Sequence, residues 1–167
     1  MKALTLPQPH ASLVIAGTQW FINLPWRASR DVWGQRILIH AGSNPALLPH
    51  QIRGALLRAC LDTFGPFGSH TPEWPPVPYG AVIGSVKLKW CAEIVSMRHG
   101  SVATVDRGGN KALTEVRLPA FTERPPQGWL WSVNQPEALA EPFEARGRRG
   151  LWECAALPYL DDRPKIT

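Results

Sequence analysis

Two histidines, a strand lysine and two isolated amides are the groups in this chain best suited to acid–base or hydrogen-bonding chemistry. His10 opens the apolar segment "PHASLVIAG", and the backbone N–H groups at a helix start attract anions. His40 ends the nearly continuous apolar run "RILIH". Lys87 alternates with Val86 and Leu88, so it faces the opposite side of its strand from them. Gln19 and Asn23 bracket a short aromatic stretch and, four apart on a strand, share a face. An amide both donates and accepts, as recognition of a base edge requires. Each group also has a plain structural reading: an exposed helix-start histidine, a satisfied core histidine, a solvated lysine, surface amides.

A second set suits polyanions. Trp26 followed by Arg27 and Arg30 has the make-up of a stacking platform for a base, an aromatic ring with cations beside it. Arg146, Arg148 and Arg149 in "EARGRRG" lie on a Gly-rich turn that can meet phosphates, or simply be solvated. The chain holds eight tryptophans, most of which must be core given the area each buries. Trp129 and Trp131, two apart, share a strand face and are expected to pack inward. The formal charge of +5 makes a polyanionic partner reasonable without requiring one.

Other chemistries lack their parts. There is no GxGxxG, Walker A, GxSxG or HExxH pattern, and the acidic residues are scattered, with Asp161-Asp162 near the end. Cys60, Cys91 and Cys154 lie far apart without zinc-site spacing, so no metal and no cofactor are expected. Widely spaced thiols suit a reducing cytoplasm. No leader-like h-region or membrane-length apolar run is present.

The elements that must position these groups read as follows. "KALTL" is a first strand. A helix is expected from Pro9 to Ala16, stopped by Gly17. "QWFIN" is a short strand, and "RILIHAG" a strand buried on both faces. The stripe Leu48, Ile52, Leu56 and Cys60 predicts a helix from Pro49 to Thr63. Residues 65–80 form a Pro-rich surface loop. "GAVIGSVKLKWCAEI" is a long strand with Gly84 a bulge candidate. "SMRHGSVATVDRGGNKA" reads as a polar loop, and "LTEVRL", "GWLWSV" and "GLWECAAL" as short strands. The order is β-α-β-β-α-loop-β-β-β-β, within one domain over residues 1–167.

These segments resemble a known family. "ALTLPQPHASLVIAG" resembles the opening of ASCH domains, of the form SLxQPWASLIxxG. "RILIHAG" is similar to their strand ending in IHAAK, "GAVIGSVKL" to GAVVGVVEL, and "GRRGLWEC" to GKxGLWE. The resemblance implies an α+β, PUA-like β-barrel of five to seven strands flanked by short helices. It also implies a polar cleft beside the barrel, formed by Gln8, Gln19, Asn23, Trp26, His40 and Lys87. Where the family has GxKxxExR after its first helix, this chain reads "GTQWFINLPW". Gln19 stands in place of the lysine, Ile22 of the glutamate and Leu24 of the arginine. Lys87 replaces the acid of GVVEL, and His10 the tryptophan of QPW.

The activity implied is binding of RNA or another nucleic acid by a cytoplasmic monomer with no membrane association, through the cleft and Arg27, Arg30, Arg146, Arg148 and Arg149. Some relatives are ribonucleases or nucleoside amidohydrolases. The latter need a lysine and an acid that are absent here, so binding is expected over catalysis. His10, His40 and Lys87 are the acid–base candidates if an enzyme remains. A protein–protein adaptor acting through the loop around Trp74 is the third reading.

Overall fold

The computed structural model describes residues 1–45, 78–98, 101–105, 111–115 and 128–155. Its strands are β1 (Lys2–Gln8), β2 (Phe21–Leu24), β3 (Arg36–Pro45), β4 (Ala81–Arg98), β5 (Ser101–Val105), β6 (Lys111–Glu115), β7 (Trp129–Glu144) and β8 (Leu151–Glu153). One helix, α1 (His10–Ile15), and a 3-10 turn at Arg30–Val32 complete the described elements. The result is a mostly-sheet α+β arrangement. The main sheet runs β2-β7-β4-β3-β1-β8, and β5 and β6 extend it from the far part of β4. Among the described residues only β1 and β3 pair in parallel; the other described ladders are antiparallel. Among the described residues no ladder joins β2 to β8, so the sheet is open and the expected barrel closure is not seen.

Strand β4 is the spine, because it pairs with β3, β7 and β5. Its alternation separates two apolar layers. Ile83, Val86, Leu88 and Cys91 join Ile37, Ile39, Ala41, Leu4, Leu6 and α1 in the larger core. Val82 joins Leu38, Ala3, Trp152 and Cys154 in a smaller one on the other face. Residues 37–41 of β3 are accordingly all buried, as a nearly continuous apolar run demands.

Helix α1 is short, and five of its six residues are buried. Its N-cap is Pro9, which offers no side-chain cap. The Ser12 N–H is taken instead by Gln8 Oε1 at 3.2 Å. At the other end Gly17 adopts φ 71°, and the Thr18 and Gln19 N–H groups return to the Leu13 carbonyl, as at a left-handed helix stop. The helix sinks onto the sheet at Gly84. A Cβ there would lie 2.5 Å from the Glu137 carbonyl oxygen and 2.7 Å from Ile15 Cδ1. The β3–β4 and β4–β7 registers both shift at this point, so the bulge read from Gly84 is present.

Two stretches depart from the sequence reading. Residues 96–98 and 101–105 are not a polar loop: β4 runs on to Arg98, and β5 pairs with it antiparallel. The β-branched Val102, Thr104 and Val105 suit a pleated strand and outweigh the polar residues between. Five strands therefore follow residue 77 instead of four. Strand β7 also continues past Val133 to Glu144, through Pro136 and Pro142. Both prolines fall where the β4 register skips residues, between Asn134 and Glu137 and between Ala138 and Phe143. A bulge removes the need for the N–H that proline lacks. The helix expected at 49–63 and the Pro-rich stretch around Trp74 lie outside the described residues. No helix among the described residues is long and apolar enough to cross a membrane.

Gly84→Ala should lower stability by about 1–3 kcal/mol, the usual range for overpacking a filled core. Urea unfolding measures this, and an unchanged midpoint would mean that α1 does not bear on the sheet at Gly84.

Candidate nucleic-acid interface

The connection from β2 to β3 brings tryptophans and arginines together. Strand β2 pairs with β7, placing Ile22 opposite Trp131 and Leu24 opposite Trp129. Trp131 is fully buried, and Trp26 meets it edge-on with centroids 4.7 Å apart. The indole N–H of Trp131 donates to the Trp26 carbonyl at 3.2 Å. Trp26, Trp33 and Trp129 all pack half-buried against the larger core. The shared inward face expected of Trp129 and Trp131 is thus observed.

Over this indole floor lie two guanidinium groups. Arg27 sits 5.0 Å from the Trp129 ring centroid and Arg30 5.7 Å from that of Trp33. Neither forms an ion pair among the described residues. Among the described residues, neither the buried Arg27 Nε nor the buried Trp33 Nε1 has a hydrogen-bond partner. A guanidinium over an indole face is attracted by the ring's π-system.

The other expected site residues go to different neighbours. Gln8 is 1 % exposed; besides capping α1, it donates through Nε2 to the Pro78 carbonyl at 2.9 Å. It is a brace and has no surface to offer a ligand. The anion-attracting helix start expected beside His10 is likewise used internally, since Gln8 takes the Ser12 N–H. Gln19 is buried, donating to the Phe21 carbonyl at 2.8 Å. Its amide orientation is fixed by that bond, so Oε1 accepts from His10 Nδ1 at 3.0 Å. The neutral His10 ring then carries its lone pair on Nε2. Asn23 donates to the Trp129 carbonyl at 3.2 Å and pairs with Leu130 rather than with the face of Trp131.

His40 and Lys87 belong to the face of the smaller core. Lys87 is half-buried and lies directly opposite Arg36 on β3 and Asn134 on β7. It does face away from Val86 and Leu88, as alternation predicts. Arg36 is occupied by Ser85 Oγ at 2.9 Å, the Gln135 carbonyl at 3.1 Å and Glu137 at 2.8 Å. His40 is 2 % exposed, bonds to the Ala145 carbonyl at 2.9 Å and meets Trp152 edge-on. The contacts tie Gln19 to His10, Trp26 to Trp131 and His40 to Trp152. Arg146, Arg148 and Arg149 are exposed.

Trp20 is a candidate that residue types alone did not single out. It is 48 % exposed, while Gln19 before it is buried and Phe21 after it packs on Trp90. Alternation across "QWF" was the available signal. Among the described residues no group of three His, Cys, Asp or Glu side chains converges to hold a metal. Cys91 lies in the larger core, where burial pushes its thiol above the ordinary range. Comparison with models of known protein families gives no match, and no curated protein matches the chain.

Gln8→Ala should cost about 1–3 kcal/mol, since it strands the Ser12 N–H and the Pro78 carbonyl. Thermal or urea unfolding reads this, and a neutral result would contradict the bracing role. Cys91 should resist alkylation at pH 8 in the native protein and react on unfolding, mapped by peptide mass spectrometry. Rapid native labelling would show that its burial is overstated.

Proposed function

We propose that this protein binds single-stranded nucleic acid, RNA in the first instance, through the Arg27–Trp129 and Arg30–Trp33 pairs. The observation that carries the reading is the Arg27 guanidinium placed over the Trp129 ring with no carboxylate paired to it among the described residues. Charged, planar and pre-oriented, such a group recognises a phosphate or stacks beneath a base. The exposed Trp20 at the other end of β2 adds a second aromatic surface, and the net charge of +5 favours approach of a polyanion.

We further propose that the chain is an ASCH-like domain with a PUA-like barrel. What supports this is the arrangement of the four resembling segments. They correspond to β8, β1 with α1, β3 and β4, and the sheet order β4-β3-β1-β8 makes them consecutive neighbours. Segments far apart in sequence thus belong to one continuous structural unit. Binding is favoured over hydrolysis because Gln19 spends both ends of its amide inside the protein, and neither it nor Ile22 supplies the lysine or acid of a hydrolytic site.

Arg27→Ala should weaken binding of a fluorescein-labelled oligouridylate by about five- to tenfold, the scale of one stacked cation. Arg27→Lys should recover only part of the loss, because an ammonium keeps the charge without the planar fork. Fluorescence anisotropy measures both. Full affinity in a folded Arg27→Ala protein would remove the basis of this reading.

A further inference from the structure

The turn between β7 and β8 is pinned to the sheet at several points. Ala145 donates its N–H to the Gly80 carbonyl at 3.1 Å and accepts from His40 Nε2 at 2.9 Å. Because a carbonyl only accepts, Nε2 carries the hydrogen and the neutral ring holds its lone pair on Nδ1. That Nδ1 is buried and has no hydrogen-bond partner among the described residues. Gly147 lies directly on it: a Cβ at 147 would be 2.5 Å from His40 Cε1, 2.8 Å from Nδ1 and 3.1 Å from Thr5 Oγ1. Thr5 is the register partner of His40 across the β1–β3 ladder, and its hydroxyl receives the Trp152 indole N–H at 3.1 Å. His40, Thr5 and Trp152 thus form a row across three strands on which the Gly147 backbone rests. Beyond Gly150 the chain enters β8 and pairs with β1.

The consequence is a braced turn that holds three arginines outward. Arg146, Arg148 and Arg149 are all exposed, and none forms an ion pair among the described residues. A solvated loop has no need of a glycine pressed against a buried imidazole. A turn that must present cations at fixed spacing does.

We propose that residues 145–150 form a phosphodiester clamp, in which Arg146, Arg148 and Arg149 contact the backbone of a single-stranded nucleic acid and His40 acts as a positioning residue beneath Gly147. The identity of the polymer rests on the function proposed above; the clamp itself is separate from the Arg27–Trp129 surface and reads phosphate alone. His40 touches no ligand, because Gly147 covers its only open nitrogen.

The test compares an oligouridylate with a base-free (abasic) oligonucleotide of the same length, each titrated over a range of salt concentrations. Replacing the three arginines together by alanine should reduce the slope of log affinity against log salt by about 2 for both polymers, three contacts at roughly 0.7 each. Gly147→Ala should shift the slope in the same direction. His40→Ala should do likewise, and His40→Gln, which restores an N–H donor to the Ala145 carbonyl, should recover it. Thermal melting confirms that each variant folds. Unchanged slopes in the folded arginine and Gly147 variants overturn the clamp, as does a His40→Ala protein that binds like the parent. If the parent binds neither polymer, the clamp and the nucleic-acid reading fall together. If base-free binding depends on the turn while Arg27→Ala leaves oligouridylate binding intact, only the indole reading falls.

Discussion

The close approach of Ile15 to Gly84 is the constraint from which most of this architecture follows. No Cβ can occupy position 84 while Ile15 and the Glu137 carbonyl hold their places. With that space open, α1 sinks until nearly every residue in it is buried. A six-residue helix in that setting cannot satisfy its first N–H groups with water, so a side chain must do so. Gln8 fills that role and is withdrawn from the surface. The register shift beside Gly84 also lets β7 carry Pro142 alongside β4, and the next shift, between Ser85 and Lys87, takes Pro136. One missing methyl group therefore shapes the helix, the bulge and the longest ladder.

Strand alternation then divides the chemically able residues between two faces. Trp26, Trp33 and Trp129 pack on the larger core with Arg27 and Arg30 above two of them. His40 and Trp152 stand with the smaller core, where they support the arginine turn. Both surfaces are built alike, with cations carried over half-buried indoles in one case and beside a buried imidazole in the other. Neither group of arginines is neutralised by a carboxylate among the described residues. Arginines left unpaired by carboxylates are suited to phosphate.

Much of the fold was legible because it rests on local pattern. The nearly continuous apolar run 37–41, the helix stop at Gly17, the bulge at Gly84 and the outward side of Lys87 each follow from periodicity or backbone freedom. The continuation of β4 into β5 was hidden by the polar residues around His99, since strand pairing can override a loop-like composition. The later half of β7 was hidden by Pro136 and Pro142, which only a bulged partner tolerates. Within the site, the Trp26–Arg27–Arg30 grouping was visible from residue types. The internal use of Gln8 and Gln19 was not, because an amide in a sequence looks the same whether it meets a ligand or its own backbone. The role of His40 depends on Gly147, more than a hundred positions away, and no local pattern links them.

Photo-crosslinking of a 5-bromouridine-substituted RNA, with the modified residues mapped by mass spectrometry, tests the central claim most directly, because the bromouracil photoproduct forms with aromatic side chains in contact with the base. The arginine–indole account predicts crosslinks within residues 20–33 and at Trp129, lost on Arg27→Ala. Crosslinks confined to Tyr79 or Trp90, or none at RNA concentrations that saturate binding, would contradict it.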